Sequence, residues 1–296
     1  MAGATSTPPA SGRLRLLSPG LWFGLPPTVY LLAAFFVPLA FLLVLSVYRF
    51  DAGLIVPDVT LANYRRFFTD GFYLRGFLRT LEIAGLVAFI VTVLSYPVAY
   101  FLTRTTSRFK GLLIALVLAP ELSGVVLRTY GWIVILEDRG LVNTLLMNLG
   151  WIDAPIRLSQ SFAGVAIGLT HVLMPFAILA IFSTLQTIDP VLEHAAQNLG
   201  ANRRRTFFRV LLPLSLPGVV GAFFLTFTIA ASAYATPAIL GGSGFHVLAT
   251  MIYQQLLFFL NWPLASVMSL VLLLSVLVVA LLGTRLESRI ERAVQG

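Results

Sequence analysis

The sequence predicts an all-α membrane protein with six transmembrane helices and one polar, helical loop between the fourth and fifth. Three observations lead there. Hydrophobic residues make up 58% of the 296 and charged residues only 11%, against about 25% charged in a soluble domain. Long stretches carry no Asp, Glu, Lys or Arg, the longest being the 75 residues from Val210 to Thr284. The basic residues sit in short clusters between these stretches.

Composition excludes several other classes. The net charge is +8, but 19 of the 20 basic residues are Arg, and no basic stripe interleaved with aromatics is present. Arginines at the ends of apolar spans orient a membrane protein, so no nucleic-acid partner is expected and the lipid bilayer is. With no Cys, a disulfide framework, thiol redox chemistry and zinc-thiolate sites all fall away.

Each element follows from the need for about 20 apolar residues per span. Residues 1–15, small and rich in Pro and Ser, read as a disordered cytoplasmic tail. Leu16 to Tyr48 is 33 residues without a charge, enough for one span, and lacks a small-residue cleavage site, so it reads as an uncleaved anchor. Ile83 to Thr103 supplies the second span. Leu112 to Leu136 is the third, interrupted by Glu121 and Arg128, and Leu158 to Ile188 is the fourth. Val210 to Thr284 is too long for one span and suits two, with the break at Leu240–Phe245 and Asn261–Trp262–Pro263. The expected spans are about 21–48, 77–103, 110–136, 161–187, 213–238 and 262–284, all within a single domain of residues 16–296. Twelve Arg or Lys fall in inside segments if the N-terminus is cytoplasmic, against seven outside, five of those in the long first loop. Both termini are therefore expected in the cytoplasm.

The loop at 188–213 is the most informative stretch. Asp189 before Pro190 is a helix start, an N-cap acceptor followed by Pro at the first helical position. Gly200 fits a C-cap that requires positive φ. Asn202 can cap a second short helix in which Phe207, Val210 and Leu211 face one way, and Pro213 and Pro217 lead into the fifth span. From composition alone, an amphipathic loop lying on the headgroups is an equal alternative.

The spacing of this loop resembles the EAA loop of permease subunits from ABC importers, in which Glu-Ala-Ala, three residues and Gly precede nine residues and Ile-x-Leu-Pro. Ala195 and Ala196 match the alanines, Gly200 the glycine, Val210 the isoleucine, and Leu212 and Pro213 the Leu-Pro pair. His194 stands at the glutamate position with Glu193 immediately before it, a rotation of about 100° around the helix. The resemblance implies a coupling helix that docks on a separate ATPase subunit, with Glu193, His194, Ala195, Ala196, Gly200, Ala201, Phe207, Val210, Leu212 and Pro213 as the coupling residues. No G-x-x-x-x-G-K-[ST] phosphate loop occurs in the chain. ATP and Mg²⁺ are accordingly expected on the partner, with no cofactor on this chain.

A second match narrows the family. Leu127-Arg-Thr-Tyr-Gly-Trp-Ile-Val-Ile-Leu136, Gly140-Leu-Val-Asn143 and Asn261-Trp-Pro263 resemble the spermidine/putrescine branch of these permeases, with Gly131 where Ala is usual. The resemblance implies a subunit that is not itself an enzyme, placed in the bacterial inner membrane and moving a small solute from periplasm to cytoplasm by alternating access. Its implied partners are a second, most often non-identical permease, two ATPase subunits and a periplasmic substrate-binding protein. A polyamine-like solute fits this branch best, while relatives for iron(III), phosphonates, opines and amino-acid derivatives share similar patterns.

Ionisable groups within spans cost about 2.5–3.5 kcal/mol each on insertion scales. Glu121 and Arg128 lie about 10 Å apart along an unbroken helix, too far for a direct pair; either both line the pathway or its outer gate, or Arg128 snorkels to the outer headgroups and Glu121 bonds a neighbouring helix. Tyr130, Trp132 and Tyr234 are compatible with a cationic solute through cation–π attraction. Tyr234, Ser232 and Thr236 either face the cavity or bond between helices. Glu82 beside Arg79 suggests an i,i+3 ion pair, and His171 reads as a hydrogen-bonded packing residue. Pro38, Pro97, Pro120, Pro175 and Pro237 are expected to interrupt five spans. Two other classes compete: a secondary transporter or channel without an ATPase partner, and an integral membrane enzyme, for which the scattered polar residues offer no cluster.

Overall fold

The computed structural model describes the backbone of residues 19–295 and the side chains of residues 24–293; the tail expected at residues 1–15 lies outside them. The first helix, α1 (Pro19–Ser46), ends where Ser46 Oγ donates to the Leu43 carbonyl at 2.7 Å. A two-stranded antiparallel ribbon follows, β1 (Tyr48–Asp51) and β2 (Leu54–Val59). This corrects the all-α expectation. Ala52 (φ 49°) and Gly53 (φ 84°) fill both turn positions with left-handed backbone, as a two-residue hairpin requires. The buried Asn63 amide fastens the ribbon's base, donating to the Ser46 and Tyr48 carbonyls at 3.1 and 2.8 Å.

The short α2 (Ala62–Thr69) leads to α3 (Gly71–Arg104), whose N-cap Asp70 accepts from the Phe72 N–H at 2.9 Å. Next, α4 (Lys110–Leu118) tightens into a 3₁₀ turn over Ala119–Ser123 and stops at Gly124, with α5 (Val125–Leu136) and α6 (Leu141–Asn148) beyond. Segments 110–123 and 125–148 meet at 93°, so the third span is broken rather than continuous. Pro120 has no N–H to give the helix, and Gly124 turns the chain at φ +65°, a conformation glycine adopts without a Cβ penalty.

The remaining helices are α7 (Phe162–Thr187), α8 (Val191–Asn198), α9 (Arg203–Thr206), α10 (Leu212–Ser232), α11 (Ala235–Leu240), α12 (Leu248–Leu257) and α13 (Trp262–Gln295). The second short helix expected after Asn202 is not separate: α9 runs through a π turn at Phe207–Leu211 straight into α10. The fifth span breaks at Ala233–Tyr234, and α12 stands between it and the last span. The break falls close to Pro237, where an interruption is expected; α12 is not expected. Pro97, Pro175 and Pro38 lie inside unbroken helices, so the interruptions expected at these three prolines do not occur. Among the described residues, five helices are long and apolar enough to cross a membrane, and six if the bent pair counts as one span.

Helices α3, α7 and α10 pack against one another as the core, burying Ile83, Val87, Val91, Leu169, Ile181 and Leu185. Lipid tails are as apolar as Leu, so helix association there relies on close contact and small residues. Ala84, Ala88, Ala177 and Ala222 are fully buried, and Gly218 lies so near Thr184 that a Cβ would overlap it. On the outside of this core, α13 packs on α10 and α1 packs on α13. Few of the residues of α1 from Gly24 are buried.

Candidate functional site

The polar loop is built from its caps inward. Asp189 Oδ1 accepts from the Val191 N–H at 2.9 Å, opening α8. At the other end the Gly200 N–H donates to the Gln197 carbonyl at 2.9 Å, and the Ala201 N–H to the Ala196 carbonyl at 3.0 Å. These two bonds form a Schellman cap, with Gly200 at φ +88°. Asn202 Oδ1 then accepts from the Arg205 N–H at 2.8 Å, as the sequence suggested.

Glu193 points inward. Its Oε1 accepts from Arg104 Nε at 2.7 Å and lies 2.6 Å from a terminal guanidinium nitrogen, while Oε2 accepts from the Tyr100 hydroxyl at 3.2 Å. The same guanidinium donates to the Ile188 carbonyl at 3.4 Å. Arg104, the last residue of α3, thus holds α8 by its carboxylate and by the chain entering it. Glu193 is only 14% exposed, whereas His194 and Ala195 are exposed. A cavity of about 940 Å³ opens beside them, lined among others by Tyr100, His194, Gln197, Arg203, Arg204 and Phe207. Behind it Phe207 meets Tyr96 edge-on at 5.5 Å, and the Tyr96 hydroxyl lies 2.8 Å from Ser215 Oγ. Val210 and Leu212 are half-buried and Pro213 exposed, Leu212 packing on the core.

The in-span residues are arranged differently from expectation. Arg128 and Glu121 form a bidentate ion pair at 3.0 and 3.3 Å. The break at Gly124 folds the 3₁₀ turn back over α5 and removes the separation that an unbroken helix would impose. Arg128 is 8% exposed and its Nε has no partner among the described residues. Trp132 Nε1 donates to His171 Nδ1 at 3.2 Å, so His171 is a hydrogen-bonded packing residue. Tyr130 is exposed and, like Trp132, lines neither the 940 Å³ cavity nor a second one of about 260 Å³. Tyr234 does line the second, with Phe245, His246, Tyr253 and Phe258, and no carboxylate or cationic Arg or Lys side chain borders it. The Tyr234 and Tyr253 rings lie 4.6 Å apart. Thr236 is buried against Thr129, hydroxyl to hydroxyl at 3.4 Å, and Ser232 bonds back to its own helix. The expected Arg79–Glu82 pair does not form: Arg79 donates to the Gly244 carbonyl at 3.2 Å and lies over the Phe245 ring.

Comparison with known proteins gives the family and the fold. Residues 17–292 match the family model for binding-protein-dependent transport system inner membrane components. The chain belongs to that family. It is 33% identical over 239 residues to the spermidine/putrescine transport system permease protein PotB of Haemophilus influenzae, covering 80% of this chain and 83% of that one. Against PotB of Escherichia coli the identity is 32%, covering 76% and 81%. The inner membrane ABC transporter permease protein YdcU of Escherichia coli is 30% identical over 272 residues, 87% of this chain and 84% of that one. Among solved structures, a bacterial ABC transporter involved in alginate import superposes with a TM-score of 0.72 over 91% of this chain and 95% of that chain, at 17% identity. The MetNI methionine transporter in an inward-facing form superposes at 0.53 over 75% and 95%, at 22% identity. The fold is that of an ABC permease, and the chain is a multi-pass inner membrane component of the polyamine-permease branch.

Sequence reasoning missed three residues that matter to these sites. Arg104 was read only as a positive-inside charge, because its partner lies 89 positions away. Tyr253 and Phe258 sit on or beside α12, which an uncharged 75-residue run conceals. The Gln-Gln pair at 254–255 inside that run was the available signal.

Proposed function

We propose that the chain is the permease subunit of an ATP-driven importer that carries a polyamine-like cation from the periplasm to the cytoplasm by alternating access. The observation that carries this reading is α8 itself, a two-turn helix capped at both ends and fastened by Arg104 to the core helix α3. A docking helix of a separate ATPase must be small-sided where it approaches and stiffly joined to the spans. Ala195 and Ala196 meet the first requirement; the Schellman cap and the merged α9–α10 meet the second. Motion of the ATPase then moves α3, α7 and α10 as bodies, a two-state coupling. One chain offers one such helix, so two permeases, non-identical in this reading, face two ATPase subunits that bind ATP and Mg²⁺. A periplasmic binding protein delivers the solute.

Arg104 at the end of α3 holds α8, the loop runs through α9 into α10, and Glu287 in the C-terminal part of α13 approaches Gly221 midway along α10, where a Cβ would lie 3.0 Å from its Oε1. Together with Arg203, Arg204, Arg205 and Arg209 in the loop and Arg285, Arg289 and Arg292 after the last span, this supports placing the loop and the C-terminus in the cytoplasm, and the charge bias places the N-terminus there too. The PotB relatives support a polyamine-like solute. Because Glu121 is already neutralised by Arg128, cation recognition in this conformation falls to aromatic faces such as Tyr234, Tyr253 and Phe258, worth about 0.5–2 kcal/mol each.

The test is mild-detergent purification from native membranes with mass spectrometry of co-purifying proteins, followed by spermidine uptake in proteoliposomes. Recovery of a Walker-motif ATPase, a second six-helix permease and ATP-dependent uptake is expected. ATP-independent uptake by this chain alone would establish a secondary transporter instead.

A further inference from the structure

If α8 is the ATPase-facing helix, the charges around it specify the chemistry of the surface it meets. The segment 188–213 contains two acidic residues, Asp189 and Glu193. Asp189 Oδ1 is engaged as the cap of Val191. Both oxygens of Glu193 are taken by Arg104 and Tyr100, and its side chain is 14% exposed. No free carboxylate faces the 940 Å³ cavity: Glu193, which borders it, is paired, and Asp189, exposed with its Oδ2 unpartnered among the described residues, does not border it. Cations are the opposite case. Arg203, Arg204, Arg205 and Arg209 are all exposed, and none of their side chains has a hydrogen bond or ion pair among the described residues. His194, at the position where the resembling loops carry glutamate, is exposed as well.

These groups divide by position. Arg203, Arg204, His194 and Gln197 border the 940 Å³ cavity, whereas Arg205 and Arg209 do not. Phe207 and Leu211 supply apolar wall, and exposed Val191 and Leu199 flank the same helix. Two guanidinium groups bordering one cavity with an apolar wall call for carboxylates, which arginine engages bidentately with strong, oriented hydrogen bonds. We propose that an acidic segment of the ATPase subunit enters this cavity and pairs with Arg203 and Arg204. The polarity is the reverse of a glutamate on α8 reaching into a basic groove. Arg205 and Arg209, outside the cavity, are left for lipid headgroups.

The experiment uses the full chain with its co-purifying permease in phosphatidylcholine nanodiscs, titrated with the co-purifying ATPase subunit from 50 to 500 mM salt. Arg203→Glu with Arg204→Glu is expected to weaken binding at least tenfold at low salt and flatten its salt dependence. Arg205→Glu with Arg209→Glu should stay within about threefold of the native chain. A charge-reversed Lys variant in the acidic segment of the ATPase should restore binding to the Arg203→Glu/Arg204→Glu chain, which rules out simple misfolding. The proposal is overturned if Arg203→Glu/Arg204→Glu binds normally, or if Arg205→Glu/Arg209→Glu loses as much affinity as that double variant. It is equally overturned if the double variant loses retention only on phosphatidylglycerol vesicles, which would assign the cavity to headgroups. Failure of the native chain to bind any ATPase subunit is a separate result: it removes the docking-helix reading, and this proposal with it.

Discussion

Replacing Gly200 tests how far one backbone dihedral controls transport. Gly200 holds φ +88° at the C-terminal turn of α8, and a Cβ built there meets nothing within 4 Å. Any effect of a side chain is therefore backbone strain and not a clash. A left-handed conformation costs an L-residue about 1–2 kcal/mol, which shifts the closed-to-open ratio of the cap by about 5- to 30-fold. With only eight residues, α8 cannot offset this from its own helix propensity, since isolated helices below about 12 residues are marginal in water. Gly200→Ala and Gly200→Leu should thus fall together, with ATP-driven uptake reduced several-fold and membrane insertion unchanged. Gly200→Asn should retain more, because Asn tolerates the left-handed region. The assay is spermidine uptake in proteoliposomes alongside ATP hydrolysis, normalised to the monodisperse complex. Wild-type uptake by Gly200→Ala would refute the reasoning, and so would Gly200→Leu falling far below Gly200→Ala, which would reveal a side-chain contact in place of a backbone requirement.

Three further outcomes follow from the packing. Arg128→Met should lower the melting temperature in detergent more than Arg128→Met combined with Glu121→Gln. The single change leaves a carboxylate unpaired, a loss of up to about 3–5 kcal/mol for fully buried pairs, and less here because Glu121 is 30% exposed. Gly218→Ala should destabilise by about 1–3 kcal/mol as an overpacked contact, since its new methyl overlaps Thr184 between α7 and α10; Thr184→Gly should recover part of the loss, read by thermal unfolding. Asn143, fully buried, donates to the Glu137 and Ile156 carbonyls and accepts from the Ile156 N–H. Asn143→Leu strands those groups at about 1–3 kcal/mol for a buried unsatisfied partner, and hydrogen exchange of residues 149–158 should rise.

What could be read from the sequence divides along physical lines. Local chemistry was legible. The cap at Asn202 and the positive φ at Gly200 follow from residue type at fixed spacing and stand as expected. Apolar runs placed five long helices because membrane span length is a property of consecutive residues. The breaks were legible only in part. Of the prolines expected to interrupt spans, Pro120 and Pro237 lie within four residues of the breaks at Gly124 and Ala233–Tyr234, while Pro97 and Pro175 lie in unbroken helices. A missing N–H is tolerated where neighbouring helices compensate, so proline alone is a poor guide to breaks in a packed bundle. Misplacing the first break had a direct consequence: on a straight helix Glu121 and Arg128 cannot meet, and on the bent one they neutralise each other at 3.0 Å. Glu193 shows the same limit at the other end of the molecule. Its displacement by one position from the resembling glutamate was visible, but Arg104, which decides whether that carboxylate faces a partner or the core, comes from α3. Distance in sequence hides charge pairing, and charge pairing determines which groups around α8 remain free to bind.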